Sequence, residues 1–265
     1  MNNIFLLKLI SGFLVGSIWI TSATIIAEKF GTKLGGLITG IPFTAMISLF
    51  FIGWTQTTIF ASQSTTIVPI IMGINTLLVV IYIILTPFNF YLAIVTSLIF
   101  WFISSLGIVF SGFDNFTHSL IGLAVLLAFS YFVLEKKTII KSEGRQSTQY
   151  SVLQILLRGA ISGLIIVIAI IMAKIGGPLL GGAFAVFPAV TFSVMIITYY
   201  ARGQSFSCAM LKVAALTGAI NVVIYAIAVR YTYPCLGLIY GTLMSFAISL
   251  ASAFFLFQYV VKKMS

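Results

Sequence analysis

Runs of about 20 apolar residues, each long enough to cross roughly 30 Å of hydrocarbon as a helix, follow one another along almost the whole chain. They occupy residues 4–27, 34–54, 66–85, 90–110, 116–134, 152–173, 179–199, 208–229 and 235–261. Lipid offers no hydrogen bonds, so such runs must satisfy their own backbone as helices or close into a barrel. The alternating pattern of a barrel strand is absent, and continuous runs such as residues 164–172 favour helices. The expectation is an all-α polytopic membrane bundle of about nine transmembrane helices. Connectors such as Thr86-Pro87-Phe88-Asn89 and Ser111-Gly112-Phe113-Asp114 are short and rich in turn residues. A hydrophobic content of 61%, a charged content of 7% and a mean hydropathy of +1.20 exclude a soluble globular domain. The run at 4–27 is too long for a signal-peptide core and leads straight into further spans, so it reads as the first span.

Lysine and arginine number 14 against 4 acidic residues, a formal charge of +10. In so apolar a chain this excess is a topology signal before it is a sign of anionic partners, and nucleic acid is not expected as a partner. With nine spans, Lys29, Lys33, Lys136, Lys137, Lys141, Arg145, Arg158, Arg202, Lys212, Lys262 and Lys263 fall on the side of the C-terminus. Only Lys8, Lys174 and Arg230 fall on the other. That split predicts an N-terminus outside and a C-terminus in the cytoplasm. Omitting the fifth span gives eight spans with both termini inside and a charge split nearly as good; its few polar interruptions argue for keeping it.

Laid against itself, the chain repeats. KFGTKLGGLITGIP at 29–42 and KIGGPLLGGAFAVFP at 174–188 share a lysine, glycines, a Gly-Gly pair and a proline. At a constant offset of 146, Gly35, Gly36 and Pro42 fall on Gly181, Gly182 and Pro188. Ile74-Asn75 falls on Ile220-Asn221 and Thr96 on Thr242. Ile10-Ser11-Gly12 recurs as Ile161-Ser162-Gly163 at a slightly different offset. Two four-helix units flanking one extra span would enter the membrane from opposite faces, the 4+1+4 inverted repeat in which substrate sites form near the midplane. The expected organisation is a first repeat plus linker helix (116–134) in residues 1–134, a cytoplasmic loop at 135–151 and a second repeat at 152–265.

Candidate site residues follow from that symmetry. Asn75 and Asn221 sit near the centres of their spans and need partners that lipid cannot supply. They read either as interhelical glue bonded to a neighbouring carbonyl or as a symmetric pair lining a substrate pathway. Gly35, Gly36 and Pro42, with Gly181, Gly182 and Pro188, read either as close packing with a kink or as discontinuous helices whose freed ends hold a polar or anionic group. Lys8, Arg158, Lys174, Lys212 and Arg230 lie near span ends, where snorkelling is the default. Glu28, Asp114, Glu135 and Glu143 all read as interfacial, which disfavours a carboxylate proton relay or divalent-cation site. Trp19 and Trp101 read as core packing, and Cys208 and Cys235 as small buried hydrophobes. His118 has no second ligand at suitable spacing, so no metal and no cofactor is expected. No nucleophile elbow or HExxH motif marks an enzyme.

The pattern of a basic residue, Gly, then Gly-Gly and a proline entering an apolar span resembles the GlpM-like family of bacterial inner-membrane proteins. That resemblance implies four-span units, here two in tandem over 4–110 and 152–261, a multi-pass place in a bacterial inner membrane and a link to exopolysaccharide production. The 4+1+4 plan is also similar to that of the drug/metabolite transporter superfamily. The leading reading is a small secondary transporter or exporter of a small polar, anionic or zwitterionic solute, its two units rocking about a midplane site. The alternative is a non-transporting scaffold or accessory subunit in envelope polysaccharide assembly. Expected partners are the lipid bilayer and an unidentified small solute, with a homodimer left open.

Overall fold

The computed structural model describes residues 3–137 and 152–259. Helix α1 (Asn3–Glu28) is followed by the short α2 (Gly31–Thr39) and α3 (Phe43–Thr55). Then come α4 (Thr58–Ser64), α5 (Val68–Leu85), α6 (Phe90–Phe110) and α7 (Phe116–Phe132). A π-helical turn at Val133–Lys137 extends α7, and α8 (Val152–Ala185) and α9 (Ala189–Tyr259) complete the chain. Among the described residues six helices are long and apolar enough to cross a membrane, so the molecule is a multi-pass, membrane-type helical bundle. The cytoplasmic loop expected at 135–151 lies outside the described residues from 138 onward, as do Lys262 and Lys263.

As a straight rod the 71-residue α9 would reach about 105 Å, far beyond the roughly 30 Å of a bilayer core. It does not run straight. Gly203 (φ 84°, ψ 174°) and Gly237 (φ 73°, ψ −173°) break it, and Gly177 (φ 78°, ψ −174°) breaks α8 just before Pro178. Such dihedrals are open essentially to glycine alone. The pieces are α8a (152–176), α8b (178–185), α9a (189–202), α9b (204–236) and α9c (238–259). Gly31, the first residue of α2, shares the φ of 78° of Gly177. These two turn glycines stand 146 residues apart, so Gly177 rather than Gly176 occupies the place of Gly31.

Elsewhere side chains start the helices. Asn89 and Asn115 accept the backbone N–H of Leu92 and His118 as N-caps of α6 and α7, and Thr57 accepts that of Phe60 for α4. The α4 turn was not expected from the pattern, because its seven mostly polar and small residues carry no span-length signal.

Helix α1 packs against α8a, and the contacts run antiparallel. Gly12 meets Ile170 and Ile166, Gly16 meets Ile166 and Gly163, Gly159 meets Ser17 and Thr21, and Arg158 reaches Thr24. Two Gly-x3-Gly pairs, Gly12/Gly16 and Gly159/Gly163, let the backbones approach, as small residues do where helices meet in membranes. The matching tripeptides at 10–12 and 161–163 therefore obscured a better register, one residue off the main offset. Helix α5, buried along most of its length, is the central post and touches α6, α7 and α9.

Several expectations need correction. Trp19 is 49% exposed and faces out of the bundle rather than into its core, and Cys235 is exposed where burial was expected. Arg158 and Lys212 do not snorkel. They are 3% and 1% exposed, because Thr24 and Glu135 replace the water they would otherwise seek.

Candidate functional site

Neither the second nor the seventh expected span is one continuous helix. Helix α2 stops at Thr39 and α3 starts at Phe43; α8b stops at Ala185 and α9a starts at Ala189. The interruptions at 40–42 and 186–188 are again 146 residues apart. Their hydrogen bonding is the same in both. Ile41 N–H donates to the Ile38 carbonyl at 3.1 Å, as Phe187 N–H does to Phe184 at 3.1 Å. Phe43 N–H donates to Ile41 at 2.8 Å, as Ala189 N–H does to Phe187 at 2.8 Å. Pro42 and Pro188 cannot donate to the turn before them, and each becomes the residue on which the next helix starts.

A break leaves carbonyls without the N–H groups that a continuous helix would bring them. The two asparagines supply the donors, each to the break in the other half of the chain. Asn75 on α5 donates its amide N–H to the Val186 carbonyl at 2.9 Å, and Asn221 on α9b donates to the Gly40 carbonyl at 3.4 Å. Both donors and both acceptors are related by the offset of 146. The opposite end of each amide is held by a later helix, α6 for Asn75 and α9c for Asn221. Trp101 on α6 donates its indole N–H to Asn75 Oδ1 at 2.6 Å, and Ser249 and Ser252 on α9c donate to Asn221 Oδ1 at 2.9 and 2.6 Å. Trp101 is fully buried and also packs edge-on against Phe187 in the break, with ring centroids 4.7 Å apart.

Between the breaks lies a cavity of about 80 Å³ lined by Gly40, Ile41, Pro42, Val186, Phe187 and Pro188, with Asn75 on its wall. The first turns of α3 and α9a border it through Thr44 and Thr191, so the N-terminal ends of two helices lie beside one space. Thr24 and Thr39 also border it, their hydroxyl protons donated to the Thr21 and Gly35 carbonyls, and among the described residues no carboxylate lines it. Of the candidate site residues, Pro42, Pro188 and Asn75 reach the cavity, while Asn221 is buried behind the Gly40 carbonyl.

The four glycines do not reach it; each is a packing position. A Cβ at Gly35 would lie 2.6 Å from the Ala27 carbonyl oxygen, and one at Gly181 would lie 2.6 Å from Ala173 Cβ. At Gly36 it would lie 2.6 Å from the Met210 carbonyl oxygen, and at Gly182 it would overlap that of Ser64. These partners too are related by 146 residues, Ala27 with Ala173 and Ser64 with Met210.

Residues 9–113 match the family model described as "Protein of unknown function (DUF3147)". No curated protein and no solved structure matches the chain. The matched stretch runs from α1 to just past α6, and so contains the first break, Gly35, Gly36, Asn75 and Trp101. The resemblance to the GlpM-like family, and the tandem pair of units it implied, gain no support from these comparisons.

Trp101 is the site residue that sequence reading missed. An indole N–H inside a span needs an acceptor, and Asn75 is a polar side chain near the centre of an earlier span. That demand was the available signal. Which faces of α5 and α6 meet could not be read from spacing alone.

Proposed function

We propose that the chain is a small secondary transporter or exporter of a polar, anionic or zwitterionic solute, with its site in the cavity between the two helix breaks. The carrying observation is the crossed pair of asparagine bonds, in which each half of the chain holds open the broken helix of the other. The proposed architecture is nine spans arranged 4+1+4, with α7 as the extra span and the two units inverted. The antiparallel seam of α1 and α8a and the shared offset of both breaks support it. So does the end of the family match at residue 113, just before α7. Paired helix N-termini and the lack of a carboxylate among the described lining residues favour an anionic or polar group over a cation. The proposed setting is a bacterial inner membrane, with the N-terminus outside and the C-terminus in the cytoplasm.

Two experiments test this. Reporter fusions after Asn3 and after Ser265 should report opposite faces of the membrane; the same face for both would remove the inverted architecture. Proteoliposomes preloaded with radiolabelled phosphate, acetate, glycine or glycerol should release at least one of them faster than empty vesicles. Asn75→Ala combined with Asn221→Ala should slow that release about tenfold, as expected when about 1.4 kcal/mol of site organisation is lost. Release no faster than from empty vesicles for every solute would sink the transport reading. It would favour the scaffold alternative, for which the small volume of the cavity speaks.

A further inference from the structure

The residues lining the cavity fall into two groups. Those at its centre map onto one another at the offset of 146: Gly40 with Val186, Ile41 with Phe187, Pro42 with Pro188, Thr44 with Val190, Ala45 with Thr191, and Met72 with Gly218. The others do not. Ile20, Ala23 and Thr24 on α1, Val79 on α5, and Ala214 and Ala215 on α9b line the cavity, yet their counterparts do not. All six lie between the breaks and the face of the bundle at which α1 ends, as do Ile38 and Thr39, so the cavity reaches furthest toward that face. The counterparts Ile166, Ala169, Ile170, Tyr225 and Val68 are completely buried, and Pro69 is buried with them. The asparagines divide in the same way. Asn75 stands on the cavity wall, whereas Asn221 is 1% exposed.

A molecule whose halves are alike at the breaks but unlike in the passages leading from them occupies one of two related arrangements. We infer that the protein has a second conformation, reached when its halves exchange arrangements. In it the passage closed by Ile166, Ala169, Ile170, Val68 and Tyr225 opens toward the opposite face, and the passage lined by Ile20, Ala23, Thr24, Val79, Ala214 and Ala215 closes. The inference rests on the inverted-repeat reading and adds to it which face the site now opens to and which side chains form the closed gate. In the α1/α8a seam Ile166 and Ile170 seat against Gly12 and Gly16, and Gly159 and Gly163 against Ser17 and Phe13, so one side of each contact is a smooth backbone over which the other can shift. Because the same asparagine–carbonyl bond is built twice, neither break loses its partner in the exchange.

Thiol labelling across the membrane tests this in the full-length chain. Cys208→Ala and Cys235→Ser remove the native thiols, and single cysteines then replace Ala23, Ala215, Ala169 or Val68 in vesicles of known orientation. The probe is an impermeant methanethiosulfonate. Ile71→Cys is the buried control, since neither Ile71 nor its counterpart Thr217 lines the cavity. Ala23→Cys and Ala215→Cys should react from one face. Ala169→Cys and Val68→Cys should react from the other, about 10- to 100-fold more slowly for a second state populated at about 1–10%, yet faster than the control. Two positions probe each passage, so misfolding of one variant leaves the other to decide. Labelling of Ala169→Cys and Val68→Cys no faster than the control, or from the same face as Ala23→Cys, would overturn the exchange. Failure of Ala23→Cys and Ala215→Cys to label at all would overturn it together with the cavity as a solvent-connected site. Two-sided labelling without solute release would leave the exchange standing and remove only the transport reading.

Discussion

Gly182→Ala should destabilise the protein by about 3 kcal/mol, lowering its melting temperature in detergent by about 10 °C, even though alanine is the better helix former. The sign follows from a competition. At an open helical site the change gains about 0.8–1 kcal/mol of propensity. At Gly182 the new methyl would overlap the Ser64 carbonyl oxygen, a backbone atom that cannot swing aside. The eight residues of α8b would have to retreat from α4, drawing the Val186 carbonyl away from Asn75. Gly36→Ala should behave alike, because its Cβ would meet the Met210 carbonyl oxygen at 2.6 Å. Gly107 supplies the contrast, since a Cβ there meets nothing within 4 Å. Gly107→Ala should leave the melting temperature unchanged or slightly raised. Equal effects at Gly182 and Gly107, read by melting of the monodisperse protein, would mean that the Gly-Gly pairs are not packing positions.

These glycines show where reading the chain succeeded and where it stopped. The repeat at offset 146 located both helix breaks, and α6 spans 90–110 as expected from the apolar run alone. A Gly-Gly pair with a proline a turn and a half later has the same sequence whether the helix kinks or breaks, because proline removes one N–H in either case. The outcome turns on whether the freed carbonyl finds a donor. That donor, Asn221 for Gly40 and Asn75 for Val186, comes from the far half of the chain. The two readings of the asparagines were likewise inseparable by spacing, and the structure realises the carbonyl bond for both while placing only Asn75 on a cavity. Trp19 and Trp101 look alike in sequence, each inside an apolar span. One is exposed and the other is the anchor of Asn75, because the rotation of α1 and α6 is set by neighbours that periodicity does not name. Arg158 and Lys212 were misjudged for a related reason. A cation near a span end snorkels unless another element brings it a partner, and those partners lie 134 and 77 residues away.

The second of these cations makes the last large prediction. Lys212 Nζ on α9b lies 3.1 Å from Glu135 Oε2 in the π-turn that ends α7, with side chains 1% and 13% exposed. The pair ties the end of α7 to α9b, two residues along α9b from the Gly36 contact at Met210. Removing one partner of a buried ion pair costs about 3–5 kcal/mol, because a desolvated charge is left behind, whereas replacing both can be nearly neutral. The two single substitutions should therefore differ. Glu135→Leu takes the carboxylate away from an ammonium that is 1% exposed, and should cost about 4 kcal/mol. Lys212→Met takes the ammonium away from a carboxylate that is 13% exposed and can rehydrate, and should cost about 2 kcal/mol. Glu135→Leu with Lys212→Met should lie within about 1 kcal/mol of the parent. Melting of the four proteins in detergent closes the double-mutant cycle. Losses that simply add in the double variant would show that the pair carries no coupling.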